Sequence, residues 1–174
     1  METATAEITN NEDHLTDNDS EQYLTFKLAG EEYGVEILRV QGIQGLQKIT
    51  IIPNTPEYIL GVINLRGEIV PVIDLRQRFG LEKVEFGSTT VVIVVKMIND
   101  SKERTLGIVV DGVSEVYRFE SKNIQDSPEF GSAVSTEFLK GLASVDEKMV
   151  ILLEIDHLVD FKIISKVADS EPVE

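Results

Sequence analysis

The feature that most constrains the fold is an internal repeat. Three segments of the first half return in the second half, in the same order and with nearly constant spacing. The pairs are "YGVEILRVQGI" (33–43) with "LGIVVDGVSEV" (106–116), "TPEYILG" (55–61) with "STEFLKG" (135–141), and "VIDLRQRF" (72–79) with "EIDHLVDF" (154–161). A repeat of this length indicates duplicated structural units. We therefore expect two copies, spanning roughly 22–87 and 88–162.

Strand signals dominate both copies. The run Thr90–Val95 is continuous and β-branched, which is typical of a strand buried on both faces. Shorter or alternating strand patterns lie at Tyr23–Leu28, Gly34–Val40, Leu106–Val110 and Met149–Leu153. Each copy holds about five short strands, which predict a small barrel because closure removes exposed sheet edges.

Helical signals are short. In 55–61, Thr55 is placed as an N-cap and Gly61 as the stop, so we expect a short helix there. Asp74 is placed to cap a second short helix that runs through Arg78.

One dipeptide is open to two interpretations. Asp111-Gly112 is typical of a hairpin turn. The first copy holds Leu38 and Arg39 at the same places, and these are poor turn formers. We therefore expect a bulge or a barrel corner at Gly112.

Acidic charge is concentrated at the two ends of the 174-residue chain, whose net charge is −15. Polar, acidic segments poor in large apolar groups predict disordered tails at 1–21 and 167–174, around a folded domain at 22–166. An acidic protein without a basic stripe is a poor binder of nucleic acid. The chain has no cysteine and no apolar run long enough to span a membrane, so we expect a cytoplasmic protein without disulfides.

Catalytic signals are weak. His14 lies in the acidic tail, and His157 has no nearby nucleophile. With two histidines and no cysteine, a multi-ligand transition-metal site is not expected. The sequence holds no nucleophile elbow, phosphate-binding glycine loop or zinc-protease motif. Many carboxylates are present but nothing selects a pair, so a small enzyme with a cryptic carboxylate site is the weaker alternative.

Four segments favour a binding protein. They are "EEYGVEILRVQGI", "NTPEYILGVINLRGEIVPVIDLRQRFG", "TTVVIVV" and "LGIVVDGVSEV". Together they closely resemble the bacterial chemotaxis coupling proteins of the CheW family, over about 22–165. The resemblance implies a mainly β fold of two intertwined five-stranded SH3-like β-barrels packed together, with short capped helices.

The resemblance also implies a function. Members of this family are scaffolds without catalysis or cofactor. They join the cytoplasmic tips of transmembrane chemoreceptors to the regulatory domain of the histidine kinase CheA, which has the same fold, and form rings with it under receptor arrays. An alternative in the same class is a coupling protein of a non-flagellar chemosensory-like pathway, such as surface motility.

Carried over to this sequence, the resemblance implies a set of partner-binding residues. They are Val40, Gly61, Asn64, Arg66, Gly67, Val113, Glu115 and Val116. A turn arginine such as Arg66 suits an interface because its planar group pairs with carboxylates. The structural alternatives are a solvated turn arginine, core valines and a helix-ending Gly61. Arg76 and Arg78 are interpreted as solvated helix residues.

One position departs from the family. Where its members usually read V-x-E-I, this chain reads Val40-Gln41-Gly42-Ile43, whereas the second copy has Glu115 at the matching place. We therefore expect Arg66 to lack an internal acidic partner at position 42.

Overall fold

A computed structural model describes residues 20–126 and 135–169, and the fold is mainly β. The strands are β1 (Ser20–Leu28), β2 (Glu31–Glu36), β3 (Val40–Gly45), β4 (Ile59–Leu65), β5 (Glu68–Asp74), β6 (Val91–Asn99), β7 (Lys102–Val110), β8 (Gly112–Glu120), β9 (Ile124–Gln125), β10 (Leu139–Val145) and β11 (Lys148–Leu153). The α-helices are α1 (Leu75–Arg78) and α2 (Phe161–Ala168). Short 3-10 helices lie at Ile37–Arg39, Ser121–Asn123, Thr136–Phe138 and Ile155–His157.

The strands form two sheets that exchange elements between the two copies. The five-stranded sheet has the order β3-β6-β7-β5-β4, and the six-stranded sheet has the order β8-β1-β2-β11-β10-β9. When repeated segments are matched, the first five strands of the second order correspond to those of the first. Each sheet thus takes two early strands from one copy and the later strands from the other, so the two copies are intertwined.

In each sheet the two copies meet at two strand pairs, one antiparallel and one parallel. β5 pairs with β7 in parallel in the five-stranded sheet, and β11 pairs with β2 in parallel in the six-stranded sheet. All other strand pairs in the described residues are antiparallel. The extra strand β9 is only two residues long. The matching feature of the five-stranded sheet is the single bridge between Thr50 and Val62.

Buried side chains form one shared core and a smaller core inside each barrel. Along β6, Val92 and Val94 belong to the interior of the five-stranded barrel, whereas Ile93 and Val95 belong to the shared core. This alternation confirms that the β-branched run is a strand buried on both faces. The shared core takes residues from both sheets, among them Phe26, Tyr33, Ile73, Ile108 and Leu153.

Two corners carry the chain from one sheet to the other. The first is the 3-10 helix Ile37–Arg39 between β2 and β3, and it interrupts the single strand predicted at Gly34–Val40. The second lies at Asp111, between β7 and β8. The expected corner at Gly112 is therefore confirmed, because the two strands around it belong to different sheets.

Each corner is held by a bidentate ion pair. Arg39 Nη1 and Nη2 donate to Asp156 Oδ1 and Oδ2 at 2.9 and 2.8 Å. Arg76 Nε and Nη2 donate to Asp111 Oδ1 and Oδ2 at 3.0 and 2.5 Å. Asp156 follows β11 and Arg76 follows β5, so each corner is tied to the chain leaving the parallel neighbour strand.

The helix predictions have mixed outcomes. Asp74 caps α1 as predicted, and its carboxylate accepts a hydrogen bond from the backbone N–H of Arg76 at 3.1 Å. The helix predicted at 55–61 is wrong. A single turn there is closed by Ile59 N–H donating to Pro56 O at 3.0 Å, and β4 then begins. Pairing of β4 with β5 outweighs the local capping signal.

The predicted tails lie mostly outside the described residues, at 1–19 and 170–174. At their inner edges, residues predicted to belong to the tails lie in described elements. Ser20 and Glu21 belong to β1 and pair with Glu120 and Phe119 of β8. Val167 is buried in α2 against the shared core.

Candidate functional site

The predicted Arg66 lies at the tip of the hairpin between β4 and β5. Leu65 and Glu68 form the last strand pair, and both turn residues are in the left-handed region, with φ of 53° at Arg66 and 87° at Gly67. Asn64 Oδ1 accepts a hydrogen bond from Gly67 N–H at 2.8 Å and fixes the turn. Asn64 and Gly67 therefore have structural roles that present the arginine.

The Arg66 side chain is exposed and borders a groove of about 340 Å³. Within residues 20–126 and 135–169, no acidic side chain forms an ion pair with its guanidinium. Glu68 borders the same groove without pairing with it. The groove is lined by Gln41, Gly42, Ile43, Gln44, Leu65, Arg66, Glu68 and Val94.

Gly42 forms part of this groove on β3. A Cβ added there would meet no heavy atom within 4 Å, so the position is open towards solvent. The structure thus brings the substituted position and Arg66 to one surface, where an acidic side chain has room.

The predicted valines lie on two matching strands, β3 and β8. Val40 and Val113 are half-buried and pack against the shared core. Val116 is 48% exposed, and its counterpart Ile43 is 45% exposed. Ile43 was not among the predicted site residues, although the repeat aligns it with Val116. Each strand therefore presents one aliphatic side chain to solvent above a packed valine.

Glu115 lies on β8 with its side chain exposed and its backbone held by Thr25. The Thr25 hydroxyl donates to Glu115 O at 2.7 Å and is 3.1 Å from Glu115 N, whose N–H donates to it. These bonds span the register shift between Leu24 and Phe26, where β1 and β8 pair irregularly. β3 has a similar shift against β6, between Val40 and Gly42.

Gly61 is a packing position. It is buried inside β4 with φ of 144°, and a Cβ there would lie 2.2 Å from Thr50 O. No side chain fits between the strand and the bridge formed by Thr50, so a contact role for Gly61 has no support from its position.

Comparisons with known proteins decide the family. The sequence profile of the CheW-like domain matches residues 22–162. The chemotaxis protein CheW of Klebsiella aerogenes is 46% identical over 138 residues, covering 79% of this chain and 81% of that protein. The CheW of Rhizobium meliloti is 34% identical over 151 residues, covering 87% and 94%. The chain belongs to the CheW-like domain family.

A solved member of the CheW family has the same architecture. The crystal structure of the scaffolding protein TtCheW from Thermoanaerobacter tengcongensis superposes with a TM-score of 0.73 and 37% identity, covering 79% of this chain and 91% of that one. The family resemblance stated from the sequence is therefore confirmed, together with the mainly β fold class.

Two arginines near the CheW-like motif have roles that the sequence did not reveal. Arg76 is bound to Asp111 at the second corner, and this hydrogen-bonded guanidinium holds the pKa of Asp111 below its ordinary value. Arg78 donates from Nε to Leu158 O and lies against the rings of Tyr58 and Phe138. The interpretation of both as solvated helix residues is wrong, because both are partly buried and hydrogen-bonded to other elements of the fold.

Leu38 is an exposed apolar residue that sequence reasoning did not predict. It is 92% exposed at the first corner and borders a cleft of about 280 Å³ with Ile37, Gln22 and Arg118. The alternating pattern predicted one continuous strand at Gly34–Val40, and such a pattern gives no signal for the 3-10 helix that interrupts it.

Two negative findings apply to the described part of the chain. Residues 20–126 and 135–169 contain no group of three or more His, Cys, Asp or Glu side chains arranged to hold a metal ion. In those ranges, neither α-helix is long and apolar enough to cross a bilayer.

Proposed function

We propose that this chain is a non-enzymatic chemotaxis scaffold, which couples the cytoplasmic tips of chemoreceptors to the regulatory domain of the histidine kinase CheA. The family match extends over residues 22–162, and the relatives reported above are named as chemotaxis or scaffolding proteins. The scaffold works in the cytoplasm, recruited to receptor arrays at the inner face of the membrane, where it joins CheW-like domains in rings.

The observation that carries the proposal is the exposed Arg66 at the edge of its groove. Arg66 lies beyond the last pair of the β4–β5 hairpin and is exposed, and no described acidic side chain forms an ion pair with its guanidinium. Arginine is enriched at interface hot spots because its fork forms two parallel hydrogen bonds with a carboxylate. The Arg66 groove is thus suited to an acidic side chain of the kinase or receptor.

The aliphatic surfaces of β3 and β8 support binding of an apolar helix face. Ile43 and Val116 are exposed at matching places, and Val40 and Val113 lie half-buried beside them. A helical hairpin such as a receptor tip binds through apolar residues spaced along one face. We propose two partner-binding surfaces, one formed by the Arg66 groove with Val40 and Ile43 and the other by Val113 and Val116. Gly61 supports the first only through folding.

The test is to measure the affinity of Arg66→Ala for the CheA regulatory domain and for a receptor cytoplasmic fragment. We expect the interaction that involves Arg66 to lose about 1–3 kcal/mol of binding free energy, because a desolvated charge pair is removed. The free energy of unfolding should change by no more than about 0.5 kcal/mol at this exposed site. Arg66→Lys should restore only part of the affinity, since an ammonium group cannot reproduce the fork.

Lys83→Ala is the matched control, because it removes one positive charge from the exposed loop between α1 and β6. It should bind both partners normally. Gly42→Glu adds an acid with room to reach the groove, and it should weaken binding by competing for Arg66, more so at low salt. Normal binding by folded Arg66→Ala would assign the arginine to solvent and place the interface elsewhere.

A further inference from the structure

Arg78 occupies a position between elements of the two copies. Its Cζ atom lies 4.8 Å from the ring centroid of Tyr58 and 4.5 Å from that of Phe138. Its Nε donates a hydrogen bond to Leu158 O at 2.5 Å. The guanidinium is therefore held by two ring faces and one backbone carbonyl, and each of these contacts is directional.

The two rings are equivalent by the internal repeat. Tyr58 precedes β4 and Phe138 precedes β10, and the repeated segments 55–61 and 135–141 align them. Their backbone carbonyls accept matching hydrogen bonds, from Asp74 N–H at 2.8 Å and from Glu154 N–H at 2.9 Å. Arg78 thus lies between corresponding residues of the two copies.

The matching position in the second copy has a different role. The sequence repeat aligns Arg78 with Asp160, whose carboxylate caps α2 by accepting from Lys162 N–H at 2.8 Å. The register of the paired strands aligns Arg78 with Leu158 instead, and neither residue is an arginine. Arg78 is thus an unduplicated element of a duplicated fold.

The contacts of Arg78 connect the two sheets. Arg78 lies on α1 directly after β5, and Tyr58 lies directly before β4, so both belong to the five-stranded side. Phe138 and Leu158 flank β10 and β11 on the six-stranded side. The neighbouring Phe79 extends the connection, since its ring stacks on Phe138 with centroids 5.4 Å apart.

We infer that Arg78 fixes the relative orientation of the two sheets, and is a positioning residue for the coupling of two partners. Apolar contacts of the shared core are non-directional, whereas a guanidinium held by two rings and a carbonyl is directional. Arg78 adds to the Arg39–Asp156 pair, which ties the sheets elsewhere because Asp156 also accepts from Ile98 N–H of β6. The five-stranded sheet carries the Arg66 groove, and the six-stranded sheet carries Val113 and Val116. The orientation of the sheets therefore sets the spacing of the two surfaces, a consequence that rests on the proposed function.

The chain contains no cysteine, so a pair of spin labels can be introduced without background. Lys102→Cys in β7 and Lys148→Cys in β11 are exposed sites on different sheets. In this labelled chain, Arg78→Ala should broaden the inter-label distance distribution by about twofold, as the sheets sample more orientations. Arg78→Lys should give an intermediate width.

Ile63→Val is the control, because it lowers stability from inside the five-stranded barrel without touching the contact between sheets. It should keep the wild-type distribution. An unchanged distribution in folded Arg78→Ala overturns the inference. If Arg78→Ala does not fold, a wild-type width in Arg78→Lys overturns it instead.

A binding measurement separates this inference from the proposed function. Arg78→Lys should bind the kinase domain and the receptor fragment separately with wild-type affinity, but should lose receptor-stimulated kinase activity in the three-component mixture. Loss of separate binding together with the activity overturns the positioning role. If the wild-type chain binds neither partner, the proposed function fails, while the distance measurement still decides the role of Arg78.

Discussion

The hairpin turns β4–β5 and β10–β11 have the same backbone and opposite charge. In the first, Arg66 and Gly67 have φ of 53° and 87°, and in the second, Asp146 and Glu147 have φ of 48° and 66°. Both turns lie in the left-handed region that joins strands of a tight hairpin. The duplicated backbone has thus been kept while the exposed charge differs, so the two barrels offer different surfaces to partners.

The two corners are likewise equivalent in the fold but carry opposite charges. The first corner supplies the base, Arg39, to an acid that follows β11, whereas the second corner supplies the acid, Asp111, to a base that follows β5. Both pairs are bidentate. The acid and the base have thus exchanged places between the two corners. Both corners nevertheless keep a bidentate ion pair to the chain that follows the neighbouring parallel strand.

The largest expected effect concerns the glycines that the two copies share. Gly61 and Gly141 are equivalent, and a Cβ at Gly141 would lie 2.7 Å from Gln125 O, as one at Gly61 would lie 2.2 Å from Thr50 O. We expect Gly61→Ala to lower the free energy of unfolding by about 3 kcal/mol or more, from overpacking and left-handed strain. Gly141→Ala should cost about 2 kcal/mol, because only overpacking applies. Urea unfolding measures both.

Gly42→Ala is the control for these variants, because a Cβ there meets open space. It should leave the free energy of unfolding unchanged within about 0.5 kcal/mol. A stable Gly61→Ala protein with weakened partner binding would reverse our assignment and return Gly61 to the binding surface.

A medium effect is expected at the corners. Asp111→Asn and Asp156→Asn keep the side-chain shape but remove the charge, and each should cost about 1–2 kcal/mol at neutral pH. Equal losses of unfolding free energy would show that either the acid or the base can lie at the corner without changing the stability of the pair. A loss confined to one corner would break the comparison.

The pH dependence at Asp111 sharpens this test. The guanidinium of Arg76 holds the pKa of Asp111 below its ordinary value of 3.8, so folding favours the charged form. The contribution is present above the ordinary value and is lost as pH falls through the lowered one. The difference in unfolding free energy between wild type and Asp111→Asn should therefore persist at pH 5 and shrink only below about 3.8. A difference that disappears between pH 7 and 5 would contradict the ion pair.

The smallest effect concerns the turn that presents Arg66. Asn64 accepts a hydrogen bond from Gly67 N–H, and the second copy has Ser144 at the same place. Asn64→Ala should cost about 0.5–1 kcal/mol of unfolding free energy, because the site is exposed. Partner affinity should fall less than in Arg66→Ala. A larger loss of affinity than of stability would make Asn64 itself a contact residue.

Local patterns predicted the elements whose causes are local. The strand Thr90–Val95 follows from its β-branched run, and the cap of α1 follows from Asp74 and its spacing. The repeat predicted the corner at Gly112, because Leu38 and Arg39 made a tight turn there unfavourable. Family resemblance supplied the intertwined arrangement, which neither pattern shows.

The failures arise from long-range contacts. The helix predicted at 55–61 gave way to strand pairing, and Gly61 needs its glycine because Thr50 O approaches it. Arg76 and Arg78 find partners 35 and 80 residues away in sequence, which no local pattern encodes. Ile43 could have been proposed together with Val116, since the repeat already aligned the two residues.

The exchange of strands has a consequence for synthesis of the chain. The five-stranded sheet uses a continuous stretch, 40–110, and all its strands have left the ribosome before the other sheet is complete. β1 and β2 are made first, yet β2 waits for its parallel neighbour β11, which ends at Leu153. Since long-range pairing is slow, the earliest-made strands are among the last to find their final place. The edge of β2 therefore stays unpaired in the nascent chain until β11 has been made.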